Sequence, residues 1–104
     1  MNTLTRHETL EFVQTMRSSL SKRAIKVLEK MRVAHDAENY EEATLVYDKQ
    51  GGAWLGTERV SKRVLDELIC AVVIHAEGKL GGALERYTLN SDGRDVLAEN
   101  MATG

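Results

Sequence analysis

One stretch in the second half of the chain decides the fold. It reads RVSKRVLDELIC (59–70), AVVIHAEGKLGG (71–82) and ALERYTLNSDGRDVLAE (83–99). From Ser61 to about Ala71 the apolar residues recur at i, i+1, i+4, i+5 and i+8, which predicts an amphipathic helix capped by Ser61.

Behind that helix the pattern changes from helical spacing to strand spacing. An apolar run (72–75), a glycine-rich tip (77–82) and a β-leaning run (84–89) predict two strands joined as a β-hairpin. Ser91 or Asp92 then begins a last short helix, and the tail 99–104 is expected to fray. The predicted order is helix, hairpin, helix.

The first third of the chain predicts two helices. Thr5 with Glu8 three residues later fits a capping box, and the apolar residues that follow indicate a helix from about Arg6 to Ser18. Ser21 is expected to cap a second helix that runs to about His35. One apolar face and a row of lysines on the opposite face characterise this second helix.

The stretch 37–57 permits two interpretations. The runs 44–47 and 53–55 are β-leaning and flank Gly51-Gly52, which suits the tight turn of a central β-hairpin. The alternative is a helix capped at Asn39 that runs through Val46. We favour the hairpin because Thr, Val and Tyr cluster in this stretch.

Bulk properties place limits on the function. With 104 residues and 42% hydrophobic residues, the chain is expected to form a single α+β domain, 1–104. No apolar run is long enough to predict a membrane span, and a single cysteine, Cys70, favours a cytoplasmic protein. His7, His35 and His75 are far apart in sequence, so we expect no metal site, no cofactor and no enzymatic activity.

Charge is segregated along the chain although the net charge is only −2. Residues 17–32 hold six basic residues and one acid, whereas residues 36–48 hold five acids and neither lysine nor arginine. The sequence therefore predicts either a polarised molecule or two charged faces that only interact with solvent.

Two runs of sequence, 60–69 and 86–94, resemble a known protein family. The second run contains Tyr87-Thr88-Leu89-Asn90, followed by Gly93-Arg94. These runs resemble winged helix-turn-helix proteins of the PadR-like and MarR-like type and short phage or plasmid proteins of that shape. The resemblance implies a small winged-helix-like domain with a recognition-type helix and a β-wing, to which the residue patterns add the two N-terminal helices and the central hairpin. These families place a short second helix where the residues predict that hairpin. Asn90 stands at the family's usual threonine and suits a helix cap.

The same resemblance implies a small cytoplasmic DNA-binding regulator of transcription. Its recognition-type helix would lie in a major groove, and the wing would contact the adjacent backbone. The residues expected to contact DNA are Lys22, Lys26, Arg59, Ser61, Lys62, Arg63, Lys79 and Arg86. A homodimer is expected to form through residues 1–20, with Leu10, Val13 and Met16 at its contact.

One observation weakens this interpretation. Lys62 with Asp66 and Arg63 with Glu67 stand at i,i+4 spacing. Each acidic side chain is therefore expected to neutralise a lysine or arginine that would otherwise contact DNA phosphates. The basic helix from Lys22 to Lys30 is then the better phosphate binder.

The alternative function is a phage-type protein-interaction module, an inhibitor or adaptor such as an anti-CRISPR-like protein. Its acidic surface at 36–48, with Glu38, Glu41 and Glu42, would then face a basic protein partner.

Overall fold

The computed structural model describes residues 6–78 and 82–103, and side chains within 12–78 and 82–100. The helices are α1 (Arg6–Ser18), α2 (Lys22–Asp36), α3 (Tyr40–Ala43), α4 (Lys62–Cys70) and α5 (Ser91–Thr103). The strands are β1 (Leu45–Asp48), β2 (Gly52–Leu55), β3 (Glu58–Val60), β4 (Ile74–Glu77) and β5 (Leu84–Leu89). Within these residues no helix is long and apolar enough to cross a membrane.

The strands form one antiparallel sheet in the order β3-β2-β1-β5-β4. Because successive side chains point to opposite faces, each strand offers alternate residues to the helices. Leu45, Leu55 and Tyr87 lie on the helix side, where they join buried residues of α2, α4 and α5 in one core. The centre of that core is filled by Leu28, Met31, Leu65, Leu68 and Leu97.

Several predicted elements are confirmed. The first two helices have the predicted boundaries to within a residue, and Ser21 and Ser61 cap α2 and α4 by accepting the N–H groups of Ala24 and Val64. The α+β class is also confirmed. The last helix differs from the prediction, because α5 continues to Thr103 and is neither short nor frayed from residue 99.

The stretch 37–57 contains both alternatives in succession. The side chain of Asn39 accepts the N–H of Glu42 and caps α3, but this helix ends at Ala43 after a single turn. The chain then forms the predicted hairpin, with Asp48 of β1 opposite Gly52 of β2. The helix therefore does not extend through Val46, which lies in β1.

Two features differ from the predicted arrangement of wing and helix. A third strand, β3, follows the central hairpin, so three strands rather than the predicted two precede α4. The second hairpin does not project alone, because β5 pairs with β1 as well as with β4. The central hairpin and the predicted wing therefore belong to one five-stranded sheet.

The first strand of this second hairpin begins at Ile74, two residues later than predicted, because the chain turns at Val72. Val72 has φ +55°, in the left-handed region. Its N–H donates to the carbonyl of Ile69, and the N–H of Val73 donates to the carbonyl of Leu68. This is the Schellman pattern of a helix end, in which glycine usually takes the left-handed position. A β-branched residue there is strained.

We expect Val72→Gly to stabilise the domain by roughly 0.5–1 kcal/mol, because relief of the left-handed strain exceeds the entropy cost of glycine. Val72 is 44% exposed, so its side chain contributes little packing. Urea unfolding measures the change. Val33→Gly is the matched control, since Val33 is 52% exposed within α2, where glycine only destabilises. A loss of stability in Val72→Gly would show that the strain is not costly.

Candidate functional site

A groove lies between α2, the edge strand β3 and the first turn of α4. Its volume is about 470 Å³. The residues that line it are Arg23, Lys26, Val27, Lys30, Glu58, Arg59, Val60, Ser61 and Val64. We call this the α2–β3 groove.

The local sequence explains why cations meet along this groove. Ala24 and Leu28 bury one face of α2, which places Arg23, Lys26 and Lys30 beside the groove. The spacings of three and four residues keep these three cations on neighbouring positions of the helix surface. Across the groove, Arg59 lies in β3, which is held against β2 by antiparallel pairing.

Most of these cations have no acid close to them. Lys30 forms an ion pair with Glu58 across the groove. Among the residues that the structure describes, no carboxylate lies within ion-pair distance of Arg23, Lys26 or Arg59, nor of Lys22 and Arg63 nearby in sequence. The groove therefore carries uncompensated positive charge and is suited to an anion.

The predicted DNA-binding residues divide into three groups. The structure brings Lys26, Arg59 and Ser61 together in the groove. Lys22 precedes Lys26 by one turn of α2, and Arg63 adjoins the groove residue Val64. The remaining three are elsewhere: Lys62 on the side of α4 that faces β1, Arg86 on β5, and Lys79 outside the described residues.

Arg23 and Lys30 belong to the basic helix that the sequence favours as a phosphate binder, but they are absent from the predicted DNA-contacting residues. Both belong to the basic stretch of α2, and the interval of three or four residues from Lys26 puts them on its side of the helix. What the sequence could not indicate is that β3 lies opposite this side.

Lys62 is occupied within the domain. Its ammonium lies 2.5 Å from Asp66 and 5.5 Å from the ring centroid of Tyr47. The hydrogen bond to Asp66 raises the pKa of Lys62. This i,i+4 pair was predicted, and it is confirmed.

The second predicted pair is wrong. Glu67 does not pair with Arg63 but accepts the N–H and the hydroxyl of Ser21, each at 2.9 Å. Glu67 is therefore turned toward the start of α2, which is why it is only partly exposed. Within the described residues no carboxylate therefore pairs with Arg63, so α4 does not neutralise itself as fully as its sequence indicates.

The acidic stretch does not form one free surface. Asp36 accepts from Arg94 at 3.0 Å and from Arg32 at 3.2 Å, and the hydrogen bond from Arg94 is the main cause of its lowered pKa. Glu38, Glu41 and Glu42 are exposed. Glu42 lines a second groove, of about 390 Å³, which lies against α2 and has a mainly apolar lining that includes Val33, Ala34 and Leu55.

The predicted dimer contact on α1 is described only in part. The side chain of Leu10 lies outside the described residues, and Val13 is half-buried. Met16 packs against the domain's own core, so this part of the stripe contacts the same chain.

Other titratable side chains form small polar contacts on the sheet. Burial and a hydrogen bond to Glu85 raise the pKa of Tyr87 to about 12. His75 and Thr88 both contact Glu77, at 3.1 and 2.9 Å. Among residues with a described position, no three His, Cys, Asp or Glu side chains are grouped so that they could hold a metal ion.

The α2–β3 groove, with its uncompensated cations, is thus the candidate functional site. Comparison of the chain with protein-family models, curated proteins and solved structures finds no match.

Proposed function

We propose that this protein binds DNA and that the α2–β3 groove holds the phosphate backbone. The observation that carries the proposal is that Arg23, Lys26 and Arg59 line one groove and that no carboxylate of the described residues lies at ion-pair distance from them. Glu58, which also lines the groove, is paired with Lys30. Phosphate contacts supply most of the sequence-independent affinity of a protein for DNA. The overall charge of −2 does not oppose this, because the acids lie largely in other parts of the chain.

The proposal uses α4 differently from the mode expected of a recognition helix. Its residues Val64, Leu65 and Leu68 are buried in the core, and Lys62 is engaged by Asp66. Arg63 is exposed in its first turn, and the Ser61 hydroxyl, which accepts the N–H of Val64 as the helix cap, can still donate its own proton to an anion. The N-terminus of the helix also favours an anion. The first turn of α4 would therefore contact phosphates beside the groove.

A regulator of transcription is the biological role that we attach to this binding. Two copies would place two grooves on neighbouring half-sites, with α1 as the contact between them. This part of the proposal depends on DNA binding and falls with it.

The experiment is a salt titration of DNA binding with the double variant Arg23→Ala/Lys26→Ala. We expect weaker binding to labelled duplex DNA by about ten-fold at low salt, and a log–log salt slope smaller by about 2, one for each lost phosphate contact. Fluorescence anisotropy measures both quantities.

Lys49→Ala is the matched control for these charge deletions. Lys49 is an exposed lysine that lies 3.8 Å from Glu85, away from the groove, so its loss should leave the salt slope unchanged. A control that loses about half as much as the groove variant, in proportion to one deleted charge against two, would assign the binding to bulk charge and reject the groove. Absence of any DNA binding by the wild type at low salt would reject the function itself.

A second candidate function, a protein-interaction module, is favoured by one observation. The second groove has a mainly apolar lining and is bordered by Glu42, while Val33 is more than half exposed beside it. Glu29 and Lys30 also line this groove, so its charged border holds two glutamates and one lysine. Such a groove suits a protein segment that combines apolar and charged residues. A wild-type protein that fails to bind DNA in the titration above would make this the better candidate.

A further inference from the structure

The outer face of the sheet, opposite the helices, carries a row of side chains that spans all five strands. Strand pairing places Arg59 of β3 beside Trp54 of β2, Trp54 beside Val46 of β1, Val46 beside Arg86 of β5 and Arg86 beside Glu77 of β4. Cross-strand partners point to the same face of a sheet. This row therefore forms one surface, with an aromatic ring and two arginines along it.

Arg59 connects this surface to the α2–β3 groove. Its guanidinium carbon lies 5.7 Å from the ring centroid of Trp54, and the same residue lines the groove. Because β3 is the edge of the sheet, the groove and the outer face meet at Arg59. A chain-like ligand can thus pass from the cations of α2 around this edge onto Trp54.

The charges of the outer face differ between its two ends. Within the described residues, Arg59 and Arg86 have no carboxylate at ion-pair distance. Glu77 lies at the far edge with His75 and Thr88. Asp48 lies nearer to the groove, opposite Gly52 at the turn end of β1, and its carboxylate accepts the N–H of Gln50. The edge at β3, where Arg59 lies, is therefore the part of this face that best complements an anionic ligand.

We infer that the groove also binds single-stranded nucleic acid, and binds it more tightly than the duplex, because the phosphates of a single strand can follow the groove while its bases stack on Trp54. This inference rests on the proposed function, since it uses the same groove. In a duplex the base faces are stacked on one another, whereas a single strand can present them to an aromatic side chain on an open sheet. Trp54 is 37% exposed, and the Arg59 guanidinium lies over its ring. A base could therefore stack on the exposed part of the ring while Arg59 keeps its cation–π contact.

Trp54 also supplies the test, because it is the only tryptophan in the chain. We would titrate the wild-type protein at low salt with an oligothymidylate of about 15 nucleotides. The duplex of the same length, formed with its complement, is the parallel titrant. The inference expects quenching of the tryptophan fluorescence by the single strand, little quenching by the duplex, and about ten-fold tighter binding of the single strand.

A variant separates stacking from general attraction. Trp54→Ala should weaken binding of a labelled single strand by about ten-fold while binding of the duplex changes little. Tyr40→Ala is the control, since Tyr40 is an aromatic residue that is 57% exposed on α3, outside both surfaces. Trp54→Phe retains an aromatic ring and should lose less than the alanine variant, and circular dichroism verifies that each variant is folded.

The outcomes distinguish this inference from the proposed function. Duplex binding that is as tight as single-strand binding, without quenching, would overturn the inference and leave the groove proposal standing. Failure of both nucleic acids to bind would overturn both. Equal losses in Trp54→Ala and Tyr40→Ala would also reject stacking on Trp54.

Discussion

Replacement of Gly93 by alanine should destabilise the domain by roughly 3 kcal/mol. A Cβ atom at this position would lie 2.3 Å from the carbonyl oxygen of Val73 and 2.5 Å from Cδ1 of Leu89. The Leu89 side chain can move, but the carbonyl of Val73 belongs to the backbone that leads into β4. The expected sign is opposite to that of helix propensity, which favours alanine over glycine by about 1 kcal/mol in a helix interior.

The close approach at Gly93 is maintained by hydrogen bonds on both sides of it. The side chain of Asn90 accepts the N–H of Gly93 at 2.7 Å and donates to the carbonyl of Val72 at 2.9 Å. The backbone N–H of Asn90 donates to the carbonyl of Val73. The first turn of α5 is therefore fixed against the 72–73 linker, and it cannot shift to admit a methyl group without breaking these bonds.

Urea unfolding of Gly93→Ala measures the loss, and Gly82→Ala is the control. Among the residues with a described position, a Cβ at Gly82 would meet the carbonyl oxygen of Leu84 alone, at 3.7 Å, which is ordinary contact. We expect the control to keep the stability of the wild type within about 0.5 kcal/mol. A Gly93→Ala protein as stable as the control would show that the α5–linker contact adapts easily.

The helix caps could be predicted from sequence because they are local. Ser21, Asn39, Ser61 and Asn90 each accept an N–H three residues ahead, so a short window of sequence contains both partners. The run from Asn90 to Arg94 resembles a family motif, but the sequence alone does not show why glycine is needed at position 93. Glycine is needed at position 93 because the carbonyl of Val73, twenty residues earlier in the chain, leaves no room for a Cβ atom. A short window of sequence does not include both residues.

The sheet and the groove were predicted less well, for the same reason. The two hairpins follow from nearby turns, whereas the pairing of β1 with β5 joins residues about forty positions apart. That pairing converts the predicted wing into part of a five-stranded sheet. It also places Arg86 in the same cross-strand row as Trp54, and the sequence pattern does not predict this neighbourhood.

The second large loss of stability is expected on replacement of Glu67. Its size depends on whether the partner of Glu67 is the nearby Arg63 or the distant Ser21. As the partner of Arg63, this carboxylate would contribute about 0.3–0.5 kcal/mol. In the structure it accepts two hydrogen bonds from Ser21, 46 residues earlier in the chain. We therefore expect Glu67→Ala to cost about 2 kcal/mol, because hydrogen bonds to a charged group are worth more and the N–H of Ser21 is left without its partner.

The cost has a second origin in the cap of α2. The hydroxyl of Ser21 donates to Glu67 and accepts from the N–H of Ala24, so Glu67 fixes the orientation in which the cap works. Glu67→Gln retains one acceptor and should lose less than the alanine variant. Since the hydroxyl can also accept from the new amide, we expect a loss below about 1 kcal/mol.

A double-mutant cycle identifies the partner of Glu67. If Ser21 is the partner, the losses of Glu67→Ala and Ser21→Ala should couple by at least about 1 kcal/mol, whereas Glu67→Ala and Arg63→Ala should add. Asp66→Ala on the same helix is the control for a solvent-exposed ion pair, with an expected loss below about 0.5 kcal/mol. Coupling to Arg63 instead would restore the self-neutralised α4 that its sequence indicates. It would also remove Arg63 from the cations beside the groove, so this stability measurement bears directly on the proposed binding surface.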